Sequence, residues 1–173
     1  MGRVIQKIRQ IVMNLSITTV SSPTQTPQDD RNLYDRDSLL WAETMAEFLR
    51  QGRFEQLDLV HLIEEVEDLG KRERDRLTSS IRLILHHLLK YQFQPSKRSR
   101  SWVKTIQRER LNIEIYLQDS PSLIRFLNDQ ELVKLYAQAR KAAMIETELP
   151  IETFPLDCPY SWDEIQNNEF LID

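Results

Sequence analysis

The sequence predicts an all-α protein: a single compact bundle of about five to six helices, with a Pro-rich extended C-terminal strap and a separate N-terminal amphipathic segment. Three observations predict it. Apolar residues recur every three or four positions between residues 35 and 146, the repeat that places side chains on one helix face. Capping residues and breakers interrupt that pattern at short intervals. No stretch shows sustained apolar and polar alternation with the β-branched enrichment of a strand.

Residues 1–20 place Val4, Ile5, Ile8, Ile11, Val12 and Leu15 at helical spacing, with Arg3, Lys7, Arg9 and Gln10 on the other side, a short basic amphipathic helix. Gln6, Lys7, Arg9 and Gln10 break the apolar run that a secretory signal needs, and Gln6 stands where myristoylation needs Ser or Thr. Three readings stay open for the segment: a helix making weak contact with a membrane surface or with a partner, a helix docked on its own domain, or translated sequence ahead of a start at Met13. Residues 21–32, with Pro23, Pro27 and little to bury, read as a linker. The domains expected are therefore 1–32 and 33–173.

In the second domain, Asp35 or Asp37 caps a helix carrying Trp41, Met45, Phe48 and Leu49, which Gly52 stops. Asp58 caps the next, with Leu59, Leu62, Ile63, Val66 and Leu69 on one stripe and Gly70 at its end or at a kink. A third runs from about Lys71 to Tyr91 through Leu77, Ile81, Ile84, Leu85 and Leu88, and ends ahead of Pro95. Ser99 or Ser101 opens a fourth with Trp102, Ile106, Ile113 and Leu117. Ser120 and Pro121 start a short fifth through Leu123 and Phe126, and a sixth carries Leu132, Val133, Tyr136, Ala139 and Ala143 to about Glu146. Pro150, Pro155 and Pro159 then impose an extended strap whose Phe154, Tyr160 and Trp162 pack on the bundle, and Ser161 to Glu164 form a capping box for one last turn.

Composition narrows the functions. With 3 Gly in 173 residues, each isolated, the Gly-rich phosphate loops and nucleophile elbows of nucleotide-binding and hydrolase folds have no material. One Cys excludes an intramolecular disulfide framework and points to a reducing, cytoplasmic setting. No apolar run is long enough for a transmembrane helix.

The run from Leu85 to Pro95 (LHHLLKYQFQP), followed by Arg98-Ser99-Arg100-Ser101-Trp102 and Thr105-Ile106, resembles the bacterial domain of unknown function 29 family. Tyr34 to Asp37, Leu62 to Glu65, Ser120 to Leu123, Tyr136, Glu146-Thr147, Phe154-Pro155 and Cys158-Pro159 carry the resemblance from about residue 33 onward. It implies a compact all-helical bacterial protein and brings no known activity, cofactor or catalytic residue.

Two features suggest chemistry. His61 with Glu64 and Glu65, and His86 with His87, are the groups closest to a metal-ligand pattern. If the helix ran straight through Gly70, Glu64 and His86 would stand ~33 Å apart, and if it folded back there they would lie ~9 Å and ~24 Å from the turn, so the two sets would not share an ion without Glu109, Glu146 or another chain; the expectation is no metal and no cofactor. By angular reckoning from the Leu77, Ile81, Ile84 and Leu88 stripe, His86 is solvated and His87 sits on a flank, half buried. Cys158 is expected to be an inert packed thiol.

The charge layout is the second feature. Residues 90–110 hold seven Lys and Arg against Glu109 alone, and residues 146–173 hold eight carboxylates and no cation. Either the acidic strap folds back over the basic turn, or the turn binds an anion such as a phosphate, with Ser99 or Ser101 opening a helix N-terminus and Trp102 offering a stacking face. Arg98 can equally be structural, tied to Glu64 or Glu146. The residues expected to form an anion- or partner-binding surface are His87, Lys90, Lys97, Arg98, Arg100, Trp102, Lys104 and Glu146. The function expected is a non-enzymatic protein-protein interaction or oligomerisation module. The alternatives are anion or nucleic-acid binding through the turn 94–110, less favoured at a pI near 5.5, and a metal-dependent hydrolase using His87 with Glu146 or Glu109.

Overall fold

A computed structural model describes residues 30–167 of the chain. The elements are α1 (Asp30–Arg36), α2 (Ser38–Gln51), α3 (Leu59–Phe93), α4 (Arg100–Asp119), α5 (Asp129–Thr147) and α6 (Trp162–Gln166). Short 3-10 segments lie at Phe54–Gln56, Pro95–Lys97, Pro121–Phe126 and Ile151–Thr153. Among the described residues there is no strand, and no helix is long and apolar enough to cross a membrane. The amphipathic segment 1–20 and nearly all of the linker expected after it lie outside the described residues.

The described residues fall into two compact units, the first ending at Leu62 and the second starting at Ile63. In the first, Asp37 is the cap of α2, its carboxylate accepting from the Leu40 amide at 3.0 Å, and Gly52 ends the helix at φ 70°, a conformation that only glycine reaches without a Cβ penalty. Asp58 then gathers the unit. It accepts from Trp41 Nε1 at 3.3 Å and lies 2.5 Å from His61 Nδ1, while Tyr34 stacks on the His61 ring at 4.0 Å. Burial works against ionising Asp58, but the His61 and Trp41 donors outweigh it and hold its carboxyl below the usual range. His61 is thus engaged in capping α3, and Glu64 is exposed on the helix beyond it.

The second unit is built around α3. The expected stop at Gly70 does not occur, and one helix of 35 residues replaces the two that the sequence suggested. A glycine inside a helix costs about 1 kcal/mol, too little to end one whose apolar repeat continues on both sides. From Leu77 the helix enters the core, where Leu77, Ile81, Ile84, Leu85, Leu88 and Leu89 pack with Ile106 and Ile113 of α4 and Leu135, Tyr136, Ala139 and Ala143 of α5. Ser99 caps α4, accepting from the Trp102 amide, and the proline at 121 begins a 3-10 segment rather than an α-helix.

The strap is held by side chains that donate to its carbonyls. Arg110, 4% exposed, donates to Ile165 O at 2.9 Å and Glu164 O at 2.7 Å; Arg140 donates to Phe154 O at 3.1 Å and Ile151 O at 2.8 Å. Tyr136 donates to Pro155 O and Tyr160 to Gln92 Oε1, and Phe154, Tyr160 and Ile165 are buried. The capping box at Ser161 forms as its sequence indicates. Cys158 is half-buried with Sγ 3.4 Å from Tyr160 O, and burial pushes its thiol pKa up. Glu164 O and Ile165 O belong to the last turn of α6, where carbonyls have no intrahelical donor, and Phe154 O and Pro155 O lie in the stretch between the short helices, so these donors satisfy groups that otherwise carry a desolvation penalty.

Replacing Arg110 with Ala leaves two carbonyls without their donor. We expect a loss of about 2–3 kcal/mol in urea unfolding and early proteolytic cleavage between residues 150 and 167. An Arg110→Ala chain as stable as the parent contradicts this role of Arg110 in holding the strap.

Candidate functional site

Of the residues singled out by sequence, His87, Lys90, Trp102 and Glu146 come together, and His86 joins them. Lys90 is 2% exposed. Its Nζ lies 4.4 Å from the centroid of the Trp102 ring and pairs with Glu146 Oε1. An ammonium so enclosed needs both partners: the ring face supplies its quadrupole and the carboxylate its counter-charge. Glu146 sits at the end of α5 with its side chain 52% exposed, so one end of the pair stays in water. Burial opposes its ionisation, yet the hydrogen bond and charge of Lys90, with the charges of His86 and His87, hold its carboxyl below the usual range.

His86 corrects the expectation of a solvated ring. Its side chain is 13% exposed, and Nε2 lies 2.9 Å from Glu146 Oε2. The angular reckoning treated α3 as covered on one face, whereas its C-terminal half is covered on several, as burial of Ser80, Leu89 and Lys90 beside the main stripe shows. Stacked on it at 5.1 Å is His87, half-buried as expected, whose Nδ1 is buried without a hydrogen-bond partner among the described residues. Burial, then the charges of His86 and Lys90, lower its pKa to about 4, while Glu146 works the other way. His87 is therefore neutral at pH 7, and burial lowers the His86 pKa as well.

The rest of the expected surface does not join this cluster. Lys97, Arg98, Arg100 and Lys104 are exposed around the start of α4. Arg98 pairs with neither Glu64 nor Glu146. It lies over the Tyr91 ring, 4.4 Å from the centroid, and its Nε donates to Tyr91 O at 2.8 Å, because a partner seven residues away across the Pro95 turn needs no distant element. Lys90 covers one face of the Trp102 ring expected to offer stacking to a base. Among the described residues, the acidic strap meets the basic segment through one lysine ion pair, Lys90 with Glu146; Arg110 grips strap carbonyls rather than carboxylates.

Sequence reasoning missed the roles of Glu109 and Arg110. Glu109, 6% exposed, accepts from Ser80 Oγ at 2.8 Å, Asn112 Nδ2 at 3.0 Å and Arg108 Nε at 2.9 Å. Burial disfavours its charge, but those three donors keep its carboxyl below the usual range. The signal was there: Ile106, Glu109, Arg110 and Ile113 fall at i, i+3, i+4 and i+7, so both charged residues share the buried stripe. With its oxygens so occupied, Glu109 is a bolt between α3 and α4 and not a base for His87. Among the described residues, no three His, Cys, Asp or Glu side chains group so as to hold a metal ion.

The fold and this cluster define an all-α protein whose clustered charges face one another inside the domain. Its residues 33–171 match the family described as Domain of unknown function DUF29, and the chain belongs to that family. No curated protein and no solved structure matches it.

The cluster has a pH signature. The unfolded chain takes up the His87 proton near pH 6.5 and the folded chain only near 4, so the unfolded state binds more protons throughout that window. Stability is then complete above about pH 6.5 and falls as the pH drops toward 4, with the lowered carboxylates of Asp58, Glu109 and Glu146 adding losses further down. Urea midpoints at pH 7.0 and 5.0 measure this, and His87→Phe is expected to shrink the difference. An unchanged difference contradicts the burial of a neutral His87.

Proposed function

We propose that this protein is a non-enzymatic helical module that works by protein-protein contact, and that its contact face is the apolar stripe at the start of the second unit. One observation carries the reading: Ile63, Val66 and Leu69 are 57%, 66% and 59% exposed, and their spacing puts them in one sector of α3. A lone exposed leucine needs no explanation, but three large aliphatic side chains aligned on a helix are half of a helix packing. Full burial of such a side chain is worth about 1.5–3 kcal/mol, and each still forgoes part of that in water, a driving force for association. The burial of Lys90 and its ion pair with Glu146 support the same reading, since those groups serve the scaffold. A single cysteine fits a bacterial cytoplasm.

A photoreactive diazirine residue placed at Val66 or Leu69 of the full chain, illuminated in cells, is expected to form adducts with another polypeptide. The same residue at Glu64, on the far side of the helix, is expected to form none. No adduct at Val66 or Leu69 contradicts the contact face.

A second reading, anion or nucleic-acid binding through residues 94–110, is favoured by one fact. Lys97, Arg100 and Lys104 are exposed, and among the described residues no carboxylate pairs with them. On that reading, single- or double-stranded DNA or RNA binds at low salt, weakens steeply as salt rises, and binds less well to Arg100→Ala and Lys104→Ala chains. Absence of binding at low salt removes it.

A further inference from the structure

No residue from 63 to 76 of α3 is buried, whereas from Leu77 the helix buries a residue every turn. Length is the reason. Residues 63–93 extend ~46 Å at 1.5 Å per residue, against ~30 Å for the 20 residues of α4 and ~28 Å for the 19 of α5. About 16 Å of α3 is thus left over, and the burial pattern puts that overhang at the start of the second unit, where Arg125 and Phe126 of the 3-10 segment reach its side.

Gly70 lies in the middle of that overhang. Among the described residues nothing stands within 4 Å of the position that a Cβ would take, and its φ is not left-handed, so neither crowding by them nor backbone geometry requires glycine. It opens a cup of about 500 Å³, walled by Glu67, Arg74, Arg125 and Phe126 among others. Charge also changes sign there. Residues 64–68 hold four carboxylates and no cation, while residues 71–76 hold four cations and two carboxylates.

We propose that the overhang is a self-association face, on which two copies of this chain pair their α3 helices antiparallel across a two-fold axis near Gly70. The proposal rests on the contact face of residues 63, 66 and 69 and names its occupant. Antiparallel pairing lays the acidic half of each helix over the basic half of the other, twice over, and uses the same patch on both chains, as a two-fold interface must. Parallel pairing sets the carboxylates of residues 64–68 against themselves. The missing Cβ of Gly70 lets the two backbones approach at the crossing, where Leu69 of one copy meets Leu69 of the other. Val66 then lies over the partner's cup, against the Arg74 stem and Phe126. Of the pairs now present in this stretch, Lys71 with Asp68 at 4.0 Å, Arg72 with Glu65 at 3.8 Å and Arg74 with Asp75 at 4.0 Å are long and Arg76 with Glu73 at 3.1 Å is close; all lie at the surface and offer little competition.

The test uses the full chain. Light scattering at tens of micromolar is expected to give about twice 20.6 kDa, and Val66→Asp with Leu69→Asp to give the monomer at unchanged helicity by circular dichroism. Glu67→Lys is expected to weaken the dimer at least tenfold, and adding Arg74→Glu to restore it. With Cys158 replaced by Ser, Gly70→Cys forms an interchain disulfide faster than Glu64→Cys. A monomer at every concentration, a dimer indifferent to residues 66 and 69, or equal disulfide rates at 64 and 70 overturns the proposal. The diazirine adducts separate the two claims: an adduct with a different protein from a monomeric chain overturns the second copy and leaves the contact face standing, whereas no adduct overturns both.

Discussion

The 35 residues of α3 outrun the 20 of α4 and the 19 of α5, and this mismatch governs how the second unit uses its surface. Where the three helices run together, α3 is covered on several sides, and even a lysine and two histidines on its outer face are drawn inward. Where α3 extends past the others, its aliphatic side chains stay in water. One helix thus carries both the best-packed core of the unit and its most apolar exposed stripe.

Inside the core, charged groups act as fasteners. Lys90 lies between the Trp102 ring and Glu146, and Glu109 gathers Ser80, Asn112 and Arg108. Arg140 grips carbonyls of the strap, and Arg110 grips those of the last turn of α6, which no intrahelical donor reaches. Removing one partner from such a pair leaves a buried charge or dipole unmatched, a larger penalty than the net worth of the pair. The long-range charge separation in the sequence is therefore only partly cancelled: Lys90 and Glu146 meet, while Lys97, Arg100 and Lys104 remain in solvent.

The fold class was legible because helical periodicity and caps are local. Asp37, Ser99 and the Ser161 capping box all act where their spacing places them. Gly70 misled because a glycine weakens a helix by an amount that neighbouring turns easily offset. His86 misled because periodicity identifies the most apolar face and says nothing of how many other faces neighbours cover. For the candidate site, the pairing of Lys90 with Glu146 spans 56 residues, and no local rule links charges so far apart. Arg98 shows the converse, since the Tyr91 ring beside it captured a side chain for which distant carboxylates seemed the natural partners. Arg110 and Glu109 were readable from sequence as charges on an apolar stripe, because a helix that buries its apolar face must bury any charge that lies on it.

Amide hydrogen exchange along α3 tests most directly whether the overhang is completed by a second chain. A solitary overhanging helix opens locally and exchanges fast, whereas a helix covered by a partner is protected in proportion to the fraction bound. If a second copy covers the overhang, protection of the amides of residues 66–73 rises as the protein concentration rises from a few to a few hundred micromolar, while that of residues 80–90 stays constant. Protection of residues 66–73 that does not change with concentration would contradict it.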